Sequence, residues 1–213
     1  VMNISLFYQK LRGSEHTEIE YTFRMAYVGD VKPGQFFEVS IPKFGEAPIS
    51  VSGIGEDYVD LTIRKVGKVT NEIFENQAGQ SLFMRGPYGN GFEVEDYKGK
   101  ELIIVAGGTG VSPVKGVIDY FGEHIGETKG MSVIAGFKGP KDILFRDSIK
   151  RWEKQMNLTI TVDQADEPGY KEGMVTAYIP ELEIRDLNQV AAIVVGPPVM
   201  MKFTVFGIAK ARH

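Results

Sequence analysis

The sequence has 213 residues, a net charge of −4, 43% apolar and 24% charged residues, and no cysteine. Such a composition suits an ordinary soluble protein of one large or two small domains, and it excludes disulfides, a thiolate nucleophile and a cysteine-held zinc or iron–sulfur centre within these residues. The acidic balance, with no long Lys/Arg block, argues against nucleic acid or a membrane surface as the main partner, and no run reaches the ~18 apolar residues of a membrane span. His16, His124 and His213 are too scattered for a metal motif, so no metal site is expected. The first residues lack a signal-peptide pattern, so a cytoplasmic location is expected.

The N-terminal half alternates and turns often. Residues 18–25 alternate strictly, and residues 35–41 follow the turn Lys32-Pro33-Gly34. Residues 48–52, 58–65 and 80–85 are further strand-like runs, with one short helix over 71–75. Short strands at roughly ten-residue spacing, punctuated by Gly and Pro, predict an antiparallel barrel.

From about residue 100 strands and helices alternate. Strand 101–106 leads to helix 112–121, and strand 131–137 leads to helix 141–155 with Asp142 as its cap. Strand 157–162 precedes a polar loop, and strand 190–195 precedes a helix from Pro198. This order predicts a parallel sheet with right-handed crossovers and ligands at the carboxyl ends of its strands. The polar stretch 96–100 places the boundary, giving domains 1–98 and 99–213.

The most informative motif runs from Leu102 to Pro113. An uncharged apolar strand breaks at Gly107, Gly108, Thr109 and Gly110, after which Ser112 reads as a helix cap and Pro113 as the first helical residue. Strand, glycine turn and helix N-terminus together suit a dinucleotide phosphate, because backbone N–H groups and the helix dipole face it without side chains in the way. No Lys-Ser/Thr follows, so a triphosphatase loop is not expected. The competing reading is an ordinary tight turn.

Residues 63–71, Ile63-Arg64-Lys65-Val66-Gly67-Lys68-Val69-Thr70-Asn71, have the same form. Thr70 reads as the helix cap, with Arg64 and Lys68 adding positive charge for a second anion site; a solvated basic hairpin end fits equally. In Ala47-Pro48-Ile49-Ser50, the Ser50 hydroxyl could give and accept a hydrogen bond at a ring nitrogen, or simply sit at a strand start. Arg85-Gly86-Pro87-Tyr88-Gly89-Asn90-Gly91-Phe92 is either a tight turn or a ligand-lining loop. Asp163-Gln164-Ala165-Asp166-Glu167 places acids where ribose hydroxyls meet a parallel sheet, or forms a solvated acidic loop. Gly196 and Pro197 suit a nicotinamide pocket, while Met200 fits that pocket or the core.

The order of these motifs resembles the ferredoxin–NADP reductase superfamily from about residue 18 to 202. The resemblance implies a β + α/β chain, with an N-terminal antiparallel Greek-key FAD-binding barrel and a Rossmann-like nucleotide-binding domain. The family's flavin-strand motif Arg-x-Tyr/Phe-Ser corresponds to Ala47, Pro48, Ile49 and Ser50, which puts Ser50 beside flavin N5 as the catalytic residue. Its glycine turn ending in Ser/Thr corresponds to Gly67 through Thr70, bringing Ile63, Arg64, Val66 and Val69 to the flavin. The nucleotide loop corresponds to Gly107, Gly108, Thr109, Gly110 and Pro113. Phe137 and Asp163 follow on the NADH side, and the closing motif corresponds to Val195, Gly196, Pro197 and Met200.

Pro-Ile-Ser, Arg-Gly-Pro-Tyr-Gly-Asn-Gly-Phe and Gly-Pro-Pro-Val-Met-Met most resemble the flavoprotein component of anaerobic sulfite reductase, which is related to dihydroorotate dehydrogenase and hydrogenase electron-transfer subunits. The implied activity is NADH oxidation by FAD, with electrons passed to redox partner subunits carrying iron–sulfur centres. Three positions depart from the pattern: Ala47 replaces an arginine, Ile49 an aromatic ring and Val195 a cysteine. The close relatives also carry a [2Fe–2S] segment beyond the point where this sequence stops. A free-standing NADH:flavin or quinone reductase and a non-catalytic nucleotide-binding module are the alternatives.

Overall fold

A computed structural model describes residues 4–10, 17–76, 81–165, 169–184 and 186–210. It divides into two units, residues 1–93 and 94–213. The division falls earlier than residue 98 because the turn Val94–Tyr97 packs with the second unit, where the rings of Tyr97 and Phe121 meet edge to face at 6.4 Å.

The first unit is a closed antiparallel barrel of β1 (Ile4–Lys10), β2 (Glu20–Ala26), β3 (Phe36–Ile41), β4 (Gly45–Ile54), β5 (Tyr58–Arg64) and β6 (Ser81–Tyr88). The strands follow one another around it as β1-β2-β5-β4-β3-β6. Alternation points Phe23, Met25, Phe37, Val39, Val51, Leu61 and Ile63 inward, where they form one core. The sequence pattern misses β1, whose run Ile4-Ser5-Leu6-Phe7-Tyr8 does not alternate cleanly. It also stops β4 short, because Pro48 looks like a strand start. Pro48 is tolerated inside β4 because residues 45–50 pair only with β3, and pairing with β5 begins at Val51.

The helix α1 (Lys68–Asn76) closes the barrel by inserting Val69 and Ile73 into its core, with Phe74 edge-on to Tyr21 and Phe23. It starts before residue 71, so Thr70 lies within its first turn rather than ahead of it.

In the second unit β7 (Glu101–Gly107), β8 (Gly130–Phe137), β9 (Asn157–Val162), β10 (Lys171–Glu172) and β11 (Val190–Val195) form a parallel sheet in the order β10-β9-β8-β7-β11. Leu102 to Ala106 are all buried, as expected of a strand covered on both faces. On one face α2 (Val111–Glu123) buries Val114, Val117, Ile118 and Phe121 and packs on α3 (Arg146–Gln155). On the other, Val175 and Ile179 of a 3₁₀ segment pack on Ile103, Val105 and Ile134. The helix α4 (Pro198–Lys210) follows β11, burying Thr204 while Val199, Phe203 and Phe206 stay exposed.

Two helix starts in the second unit also differ from expectation. The helix α3 begins at Arg146, because Ile143, Leu144 and Phe145 are drawn into the core and Phe145 takes a left-handed conformation with φ 57°. Asp142 therefore caps nothing and lies in a 3₁₀ turn. The helix α2 begins at Val111 with Gly110 as its cap, because Gly108–Gly110 is already turning as a 3₁₀ segment. Ser112 is thus the second helical residue and Pro113 the third, where its missing N–H costs nothing.

Candidate functional site

In the barrel, the sequence motifs meet where β4, β5 and the start of α1 come together. The hydrogen bond from Val51 N to Gln35 O makes Ser50 and Phe36 the opposing pair that shares no backbone hydrogen bonds, the pair whose side chains approach more closely. The same alternation turns the Ser50 N–H toward the side on which β4 has no partner strand. Ser50 and Pro48 lie on the outer face of β4, opposite Phe36 and Glu38. Ile49 points inward and is buried with the core.

At the β5–α1 turn, the Thr70 hydroxyl accepts from the amides of Val66 (3.1 Å) and Gly67 (2.9 Å) and donates to the Gly67 carbonyl. Those bonds occupy the side chain, so it is the first-turn amides of α1, which have no partner within the helix, that would remain to meet an anion. Arg64 ends β5 beside this turn. Its guanidinium stands 3.9 Å from the buried Glu20 carboxylate, and its Nε is buried without a hydrogen-bond partner. Val66 is 71% exposed at the same turn. Ile63 and Val69 are core residues, so any contact they make with a ligand is through the backbone.

In the second unit, the carboxyl ends of β7, β8, β9 and β11 lie side by side, since Gly107 pairs with Gly136, Phe137 with Val162 and Ala106 with Val195. Around β7 three glycines lie close against their neighbours. A β-carbon on Gly107 would meet Met200 Sδ at 2.7 Å, one on Gly110 would meet the Val195 carbonyl oxygen at 2.7 Å, and one on Gly196 would meet Met200 Cε at 2.6 Å. These glycines seat the β7–α2 turn against the β11–α4 turn.

Gly108 differs. It adopts φ +56° with nothing within 4 Å of where its β-carbon would stand, so the turn presents bare backbone at that point. Ser112 Oγ, buried in the first turn of α2, has no hydrogen-bond partner. The sequence pattern marks it only as a cap; its burial is a tertiary fact. Thr109 and Pro113 belong to the same turn. Asp163 follows β9, exposed, with its amide bonded to the Phe137 carbonyl. The Phe137 side chain is buried. Pro197 is exposed beside Gly196, and Asp166 and Glu167 lie outside the described residues.

Residues 104–205 match the oxidoreductase NAD-binding domain family. The fold is ferredoxin–NADP reductase-like. It is 35% identical over 189 residues to sulfhydrogenase 2 subunit gamma of Pyrococcus furiosus, an alignment spanning 82% of this chain and 65% of that one. It is 31% identical over 183 residues to a probable dihydroorotate dehydrogenase B electron transfer subunit of Thermoplasma volcanium, spanning 86% and 64%. The chain thus covers less than two thirds of the length of these relatives. The fold matches the FAD/NAD-binding domain of a nitric oxide dioxygenase from Vibrio cholerae, with a TM-score of 0.81 and 16% identity over 99% of this chain and 94% of that one. These relatives are named for hydrogenase and dihydroorotate dehydrogenase, not for sulfite reductase. No helix among the described residues is long and apolar enough to cross a membrane.

Proposed function

We propose that the protein is an electron-transfer subunit that oxidises NADH through FAD held by the barrel and passes the electrons to a partner carrying iron–sulfur centres. The observation that carries this reading is the glycine-cradled β7–α2 turn, with Gly108 open and Ser112 Oγ unsatisfied, at the carboxyl end of a parallel sheet. Bound FAD would supply a two-electron acceptor for nicotinamide hydride and a carrier able to release electrons singly.

The chain's own residues then have these tasks. The first-turn amides of α1, from Lys68 to Thr70, and the Arg64 guanidinium would hold the FAD pyrophosphate, taking over from the arginine replaced by Ala47. Ser50 would hydrogen-bond a flavin ring nitrogen. Gly107 to Gly110, Ser112 and Pro113 would receive the NADH pyrophosphate, and Asp163 would accept from ribose hydroxyls and repel a 2′-phosphate. Gly196, Pro197 and Met200 would border the nicotinamide. Relatives named as subunits of larger enzymes support an onward protein acceptor.

The test is an absorbance spectrum of the protein with FAD, followed by anaerobic NADH. A bound flavin spectrum that bleaches with NADH is expected; a protein that takes up no FAD overturns the reading. Reoxidation of the reduced protein by a purified [2Fe–2S] protein, faster than by free FAD, is expected for the partner assignment.

A further inference from the structure

The outer face of the barrel carries an aromatic pair that the sequence motifs did not assign. Phe36 sits opposite Ser50 on one side and opposite Tyr88 on the other, so Ser50, Phe36 and Tyr88 form one rung across β4, β3 and β6. The Phe36 and Tyr88 rings lie 5.8 Å apart at 45°. Tyr88 remains 38% exposed.

Tyr88 reaches this face only because β6 is irregular. Glu38 pairs with Arg85 and Phe36 with Tyr88, so residues 86 and 87 together stand opposite Phe37 alone. In a regular strand Arg85 and Tyr88, three apart, would point to opposite faces. The extra residue reverses the parity and turns Tyr88 outward beside Phe36.

Glycines accommodate this on both sides. Gly86 has φ +148°, and its β-carbon would stand 2.9 Å from Phe37 and 3.1 Å from the Phe36 carbonyl. Gly89 has φ +84° and would place its β-carbon 3.5 Å from the Phe36 ring. The Gln35 side chain donates to the Gly89 carbonyl at 2.8 Å, fixing the turn. An outward, partly exposed tyrosine held by a bulge and two positive-φ glycines is more than core packing requires.

We propose that Phe36 and Tyr88 form the aromatic wall against which the isoalloxazine ring lies next to Ser50. This rests on the FAD reading above. A flat tricycle gains both apolar burial and offset ring contacts on such a surface, and the Ser50 hydroxyl and N–H at the end of the rung fix its register. Tyr88 and Phe36 are therefore positioning residues for the flavin ring, while the first turn of α1 carries the phosphates.

The test uses the full chain, FAD titration and the fluorescence of the bound flavin, with thermal unfolding as the check on folding. Wild type is expected to bind FAD with strongly quenched fluorescence, because a tyrosine in ring contact quenches flavin emission. Tyr88→Phe should keep the affinity within about twofold but brighten the bound flavin, since the ring stays and the phenol goes. Tyr88→Leu should weaken FAD binding roughly tenfold. Phe36→Leu should weaken it without the brightening, which covers the case of a Tyr88 variant that fails to fold. If both Tyr88 variants fold, bind FAD as wild type does and leave the emission quenched, the wall is overturned while the FAD reading stands. If wild type itself takes up no FAD, the FAD reading falls and the wall with it.

Discussion

Gly110 and the carbonyl of Val195 are in such close approach that a β-carbon on Gly110 would lie 2.7 Å from that oxygen. The neighbour is backbone, so it cannot swing away as a side chain would. Gly110→Ala is therefore expected to push the β7–α2 turn off the end of β11, lowering stability by about 1–3 kcal/mol and weakening NADH binding more than FAD binding. Thermal unfolding and separate titrations of the two nucleotides check this.

Thr70 ties the start of α1 to the end of β5. Thr70→Val should leave the Val66 and Gly67 amides without their acceptor and cost about 1 kcal/mol, whereas Thr70→Ser should cost much less. Comparison of the two unfolding midpoints, with FAD affinity falling only for the valine variant, is the measurement.

In the second unit, Asp119 Oδ1 accepts from Nε1 of the fully buried Trp152 at 2.8 Å, and its other oxygen pairs with Lys115. Asp119→Ala strands a buried donor between α2 and α3, so a loss of about 1–3 kcal/mol is expected. Asp119→Asn keeps an acceptor and should lose less. Denaturant unfolding followed by tryptophan fluorescence reads both.

Burial, with a smaller contribution from Asp96, raises Tyr97 above its ordinary pKa of 10.0. The folded state thus favours the neutral phenol. Folding costs nothing at this group below pH 10, where the phenol is neutral in both states, and stability is lost as pH rises from there through the higher folded value. Unfolding free energy measured across that range should fall less steeply in Tyr97→Phe than in wild type.

Asp163 stands exposed after β9, at the carboxyl end of the parallel sheet. On the NADH reading, Asp163→Ser removes the charge that repels a 2′-phosphate and should narrow the preference for NADH over NADPH by roughly tenfold. Ratios of kcat/KM for the two nucleotides that do not move would remove Asp163 from that role.

Much of this is legible along the chain. The strict alternation of residues 18–25 and the uncharged run ending in Gly107 each point to one local structure, so barrel, parallel sheet and glycine turn can be read without a fold. Features that depend on strand pairing are not legible. Pro48 reads as a strand start, because nothing in the sequence says that the first half of β4 pairs on one side only. Ile63, Val69 and Phe137 sit within site motifs, yet their side chains are buried.

Where backbone must be bare and where the chain must turn follow from local sequence, because glycine, proline and apolar periodicity act over a few residues. Which side chains face outward depends instead on how the strands and helices pack. The bulge opposite Phe37 reverses the parity of Tyr88, and burial of Ile143, Leu144 and Phe145 delays α3. Both outcomes are set by neighbours distant in sequence, whose packing outweighs local preference.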